Sequence, residues 1–61
     1  MQVGQWIQRC DNSGGNCVKV QDTGMSIVVA DKDGAQVNYD YAEWDSFITG
    51  VNEGMFTRTA V

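Results

Sequence analysis

The side chains with chemical potential in this chain are few, and their spacing limits what they can do. Cys10 and Cys17 flank the run Asp11-Asn12-Ser13-Gly14-Gly15-Asn16. Two readings of the pair stay open. One is a small disulfide loop; the main one is two unlinked, partly buried thiols that pack as small hydrophobes, because a cytoplasmic disulfide does not persist. A reactive thiolate at Cys17 needs a nearby cation, and Lys19 is the one basic residue close in sequence. There is no histidine, and nothing places a lysine as a general base, so a nucleophilic triad is excluded. Asp31, Asp33 and Asp40 are the nearest approach to a carboxylate cluster. Asp31-Lys32-Asp33-Gly34 has the look of the middle of a calcium loop, but Val29 stands where that loop needs an acid. Turn formation and helix capping are the expected uses of these carboxylates. Ser13-Gly14-Gly15 precedes neither a helix nor a Gly-Lys-Ser/Thr ending, so it makes no phosphate cradle. The expectation is no catalytic residue, no metal, no cofactor and no small-molecule substrate: a protein that is not an enzyme.

The elements that position these residues are short strands and one helix. Gln5-Trp6-Ile7-Gln8-Arg9 reads as a first strand and residues 11–16 as a loop of turn formers. Cys17-Val18-Lys19-Val20-Gln21 alternates as a half-buried strand, with Val18 and Val20 inward. After the turn Asp22-Thr23-Gly24, the β-branched run Met25–Asp31 reads as the central strand. Ile27 and Val29 share one of its faces and Val28 takes the other. Lys32-Asp33-Gly34 signals a hairpin turn, and Ala35–Tyr39 returns with Val37 inward. From Asp40 to Phe56 the chain reads as one amphipathic helix. Tyr41, Trp44, Phe47, Ile48 and Val51 share a stripe, Asp40 and Glu43 form a capping box, and Gly54 ends it ahead of Met55 and Phe56. Strands joined this tightly are antiparallel. The predicted class is α+β: a small antiparallel meander of three to four strands packed against one C-terminal helix. The expected core is Val18, Val20, Ile27, Val29, Val37, Trp44, Phe47, Ile48 and Val51.

A chain of 61 residues holds one domain, 1–61, with residues 57–61 as a flexible tail. A chain this short buries only ~60% of its unfolded surface. It therefore calls for a staple, a metal or a partner, and self-association as a homodimer is the first expectation. The net charge is −4, with only Arg9, Lys19, Lys32 and Arg58 basic and scattered, which argues against direct nucleic-acid binding. Met1–Gln5 lacks the basic start and apolar run of a signal peptide, and no run approaches the ~20 apolar residues that span a bilayer. A cytoplasmic protein without membrane association is expected. The helix offers more aromatic surface than a thin sheet can cover. Tyr41, Glu43, Asp45, Met55 and Phe56 are accordingly the expected partner-binding residues.

Two segments carry a resemblance: the strand Asn16-Cys17-Val18-Lys19-Val20 and the helix Glu43-Trp44-Asp45-Ser46-Phe47-Ile48-Thr49-Gly50-Val51. They stand in order with Trp6, Ser13-Gly14-Gly15, Ile27-Val28-Val29-Ala30-Asp31, Asp33-Gly34 and Gly54-Met55-Phe56. Over residues 6–56 the chain resembles the small actinobacterial family known as domain of unknown function 397, which includes BldB-like developmental regulators. The chain departs from that pattern at Lys19, where relatives usually carry Glu, at Ala30, where they carry Arg, and in a shorter turn without proline. Cys10 is also an addition. The resemblance implies a non-enzymatic, transcription-regulatory accessory protein. Such proteins are similar in size and acidity, pair with a helix-turn-helix DNA-binding regulator of the Xre type, and are likened to antitoxins; some form dimers. The alternatives from other classes are a cysteine-based redox sensor using Cys10 and Cys17, and a purely structural homo-oligomeric module.

Overall fold

The computed structural model describes residues 1–58. Four strands, β1 (Trp6–Cys10), β2 (Cys17–Asp22), β3 (Ile27–Ala30) and β4 (Gln36–Tyr39), precede one helix, α1 (Tyr41–Asn52). The strands pair antiparallel in sequence order, β1-β2-β3-β4. The predicted α+β class and meander stand, with all four strands present. Of the expected tail, Thr57 and Arg58 are exposed and lack regular structure, and residues 59–61 lie outside the described residues.

Local chemistry accounts for each connection. The Asp31 carboxylate accepts from the backbone N–H groups of Asp33 (2.8 Å) and Ala35 (3.0 Å). Gly34, at φ 91°, supplies the left-handed residue of that turn. The cluster expected to shape turns does so, and Asp31 is used up as a backbone acceptor. Asp40 caps α1: its side chain accepts from Glu43 N–H (2.7 Å), and the Glu43 carboxylate accepts from Asp40 N–H (2.9 Å). Tyr39, just ahead of the cap, meets Trp44 four positions beyond it, with ring centroids 6.3 Å apart, a hydrophobic staple that sets the entry angle. At the other end Gly54 takes φ 77°. Its N–H bonds Val51 C=O and Met55 N–H bonds Gly50 C=O, the paired bonds of a Schellman ending. The helix is thus shorter than the amphipathic run suggests, because Gly54 turns the chain before Met55 and Phe56.

Register assigns side chains to the two faces of the sheet, since antiparallel partners share a face and successive residues alternate. One face carries the row Ile7–Val20–Val29–Val37, flanked by Arg9–Val18 and by Asp22–Ile27–Tyr39. The opposite face carries Trp6–Gln21–Val28–Asn38, Gln8–Lys19–Ala30–Gln36 and Cys10–Cys17. α1 touches the sheet mainly through β4, with one hydrogen bond to β2, and covers only one end of the first face. There Tyr39 stacks on Phe47 (6.3 Å) and the Tyr41 hydroxyl donates to Asp22 (2.7 Å).

The expected core is corrected accordingly. Ile27 is buried at 2% exposure. Val20, Val29 and Trp44 are half-buried, whereas Val18, Val37, Phe47, Ile48 and Val51 are exposed. The strand alternation is as read, but the helix is too short and too far to one end to cover the whole row. Val28 and Ala30 are buried instead, on the opposite face. They sit on the central strand beneath longer cross-strand neighbours, among them Lys19 and Gln36 beside Ala30. Lys19 lies over the Trp6 ring at 5.0 Å, a cation–π contact that roofs this face. The molecule exposes 4843 Å², roughly 900 Å² more than a compact monomer of this mass.

Candidate interaction surfaces

The helix end builds the first candidate surface. Gly50 is the one buried residue of α1. The Phe56 ring lies so close over it that a Cβ there would collide. Phe56 in turn stacks on Phe47 (5.6 Å, 19° between planes), and Phe47 meets Trp44 at 5.8 Å. The Schellman ending therefore folds Phe56 back and extends the aromatic cluster Tyr39–Trp44–Phe47 along the helix. Phe56 and Met55 stay 58% and 70% exposed. A shallow groove of about 450 Å³ runs past this cluster, lined by Asp40, Ala42, Glu43, Ser46, Phe47 and Phe56. It has an aromatic floor and an acidic edge, chemistry suited to an apolar segment carrying a cation.

The predicted contact residues divide here. Glu43 and Phe56 line the groove, and Met55 adjoins Phe56 in the chain. Tyr41 and Asp45 lie elsewhere: Tyr41 is two positions from Glu43 along the helix, so the two point about 200° apart. Tyr41 is instead tied to β2 through Asp22. That hydrogen bond raises the Tyr41 hydroxyl above its ordinary pKa. The Asp22 carboxylate is held below its usual range, first by the Gly24 N–H and then by Tyr41. Sequence reasoning missed the seat that Gly50 makes for Phe56. The signal was a glycine inside the helix with an aromatic residue just past the terminating glycine.

Cys10 and Cys17 are joined by a disulfide, which corrects the reading of two unlinked thiols. β1 runs one residue further than expected and includes Cys10, so the register sets Cys10 directly opposite Cys17 on one face, with Cα atoms 4.0 Å apart. The loop between them is organised around Asp11, which accepts from Asn16 Nδ2 (2.6 Å) and Ser13 Oγ (2.8 Å). Those two bonds hold the Asp11 carboxyl at about 2. A hollow of about 430 Å³ beside the disulfide is lined by Gln8, Cys17, Lys19, Asp31, Lys32 and Asp33, among others. It gathers two of the four basic residues next to Cys17. Lys32 arrives from the β3–β4 turn, a proximity that sequence distance conceals.

Among the described residues, no group of three or more His, Cys, Asp or Glu is placed to hold a metal ion. No helix among them is long and apolar enough to cross a membrane. Comparison with protein-family models, with curated proteins and with solved structures finds no match.

Proposed function

We propose that this protein is a non-enzymatic, cytoplasmic accessory protein of transcription. It binds a helix-turn-helix regulator and modulates that regulator's hold on DNA, in the manner of an antitoxin. It does not touch nucleic acid itself. The observation that supports this reading best is the acid-edged aromatic groove at Asp40, Glu43, Phe47 and Phe56, left open on the surface of an acidic chain. Exposed aromatic and methionine side chains rimmed by charge are the anatomy of a protein-binding patch, and a DNA-binding regulator carries the basic residues that such a patch complements. The resemblance of residues 6–56 to the domain of unknown function 397 family points the same way. The test is association of this chain with helix-turn-helix regulators of the same genome, any encoded beside it first, measured by titration calorimetry and gel filtration. Phe56→Ala should weaken that association tenfold or more, since a central aromatic anchor typically contributes ~2 kcal/mol or more. Failure to associate with any such regulator removes this reading.

The disulfide supports a second reading, a redox sensor. Cytoplasmic disulfides in ordinary proteins are usually transient and regulatory. Lys19 and Lys32 share the hollow beside Cys17 with Asp31 and Asp33, and Lys32 pairs with Asp33 (3.8 Å), so Lys19 is the cation left to favour a Cys17 thiolate once the bond is reduced. Thiol titration with and without reductant, together with partner binding by the Cys10→Ser, Cys17→Ser variant, separates the two. Unchanged binding by that variant leaves the cysteines a structural role only.

A further inference from the structure

We propose that Cys17 is a thiolation site: a low-molecular-weight thiol bearing a carboxylate enters the hollow beside the disulfide and exchanges with the Cys10–Cys17 bond at Cys17, releasing Cys10. This deepens the redox reading by naming the sulfur that reacts and the class of reactant. It stands or falls on the chemistry of the bond, whether or not partner binding responds to it.

The two sulfurs sit in unlike surroundings. Strand alternation puts Gln8 on the same face of β1 as Cys10, and the Gln8 amide Nε2 donates to Cys10 Sγ at 3.2 Å. Cys17 Sγ instead lies 3.6 Å from the Gly14 carbonyl oxygen, an acceptor that opposes added negative charge. A disulfide under attack breaks toward the sulfur better able to carry the electron pair. An N–H donor stabilises a thiolate and a carbonyl oxygen does not. Cys10 is therefore the leaving sulfur and Cys17 the one attacked.

Access agrees with that assignment. Both cysteines are half-buried, but the hollow of about 430 Å³ is lined by Cys17 and Gln8 and not by Cys10. Its size suits an amino acid or short peptide rather than a protein surface.

Charge selects the thiol. Of the charged side chains in the hollow, Lys32 pairs with Asp33 (3.8 Å), and Asp31 Oδ1 accepts from two backbone N–H groups. Lys19 has no carboxylate within ion-pair distance among the described residues. Its ammonium lies 5.0 Å over the Trp6 ring, which holds it at the wall of the hollow. A carboxylate on the incoming thiol pairs with it. Lys19 draws anions into the hollow, the incoming thiolate included, whereas the choice between the two sulfurs rests with their immediate neighbours.

The step is a balanced exchange. The incoming thiolate attacks Cys17 Sγ, and a new sulfur–sulfur bond forms as the Cys10–Cys17 bond breaks. The electron pair of the broken bond leaves on Cys10 Sγ, which keeps the Gln8 hydrogen bond and then takes a proton from water. One disulfide replaces another, so no separate oxidant is consumed. Attack of Cys10 back on Cys17 Sγ expels the small thiol and restores the loop.

The test is exchange of the full oxidised chain with reduced glutathione, quenched rapidly with excess N-ethylmaleimide, with both labels placed by fragment-ion mass spectrometry. Glutathione should sit on Cys17 and maleimide on Cys10, in roughly tenfold excess over the reverse. Gln8 is exposed, so Gln8→Ala should leave the circular dichroism unchanged and bring that ratio to within about threefold of unity. Lys19→Gln should slow exchange with glutathione about three- to fivefold more than exchange with uncharged 2-mercaptoethanol, compared at equal thiolate concentration. Glutathione on Cys10, or an even split, overturns the proposal, and the wild-type labels decide this without either variant. So does a ratio indifferent to Gln8→Ala. Equal slowing of both thiols by Lys19→Gln overturns the assignment of a carboxylate-bearing thiol. Unchanged partner binding by the Cys10→Ser, Cys17→Ser variant removes the sensor reading and leaves the label positions standing.

Discussion

Removing the Cys10–Cys17 bond should cost this fold a large fraction of its stability, and the structure sets the size of that loss. The bond joins residues 7 apart, and closing a loop of that length in the unfolded chain accounts for roughly 2–2.5 kcal/mol. A chain of 61 residues has a total stability of only ~3–9 kcal/mol. The folded hairpin keeps its other supports without the bond. Asp11 still bonds Ser13 and Asn16, Asp11 N–H still bonds Asn16 C=O, and β1 still pairs with β2. The effect therefore falls mainly on the unfolded state. The Cys10→Ser, Cys17→Ser variant should keep its strand and helix circular dichroism and melt about 10–20 °C lower, at roughly 4–8 °C per kcal/mol for a domain this small. Reductant should move the wild type by a similar amount and the variant not at all. The assay is thermal and urea unfolding of oxidised, reduced and variant protein at one fixed concentration, since any dimer makes the midpoint concentration-dependent. Equal melting of all three refutes the reasoning. Loss of β1–β2 amide protection in the variant at low temperature also refutes it, because that would place the stabilisation in the native hairpin.

Three further outcomes follow from the local geometry. Asp40→Ala removes the acceptor of the capping box and should cost about 1 kcal/mol in urea unfolding, whereas Asp40→Asn should cost much less. Gly54→Ala places a Cβ at φ 77° and should cost about 1–2 kcal/mol. It should also increase the mobility of Phe56, read from its ring resonances. Tyr41→Phe deletes the donor to Asp22, so the Asp22 carboxyl should titrate nearer the ordinary carboxylate value in an NMR pH series. The sign follows from the two shifts. The contribution of the depressed Asp22 pKa is fully present above the ordinary carboxylate value and is lost as pH falls from there through the depressed one, and that of the raised Tyr41 pKa is fully present below about 10 and is lost as pH rises through the raised one. The variant should show a weaker dependence at both ends, and an unchanged profile would mean the hydrogen bond contributes nothing.

The local elements were legible because their signals are local. Asp40 and Glu43 announce a helix start through bonds to nearby backbone, Gly54 announces its end through one dihedral, and Asp33-Gly34 announces a tight turn. Alternation in β2 and β4 placed Val20 and Val37 on one face correctly. The core itself was not legible, because burial depends on what lies above a residue. The same alternation that turned Val37 inward said nothing of a helix that stops short of it. Ala30 looked unremarkable and became the least exposed residue of the sheet, since its longer cross-strand neighbours stand around it.

The sequence by itself determined the α+β meander, the caps and turns, and the absence of histidine that removes the commonest nucleophile-activating base. Tertiary structure alone decided that the register sets Cys10 opposite Cys17 so that they pair, how Phe56 folds back over Gly50 into the aromatic groove, and which part of the apolar sheet row stays open. Each of those depends on contacts between residues distant in the chain or brought together past a turn, where geometry sets what spacing along the sequence cannot. The short helix over a wide sheet leaves Ile7, Val18 and Val37 exposed.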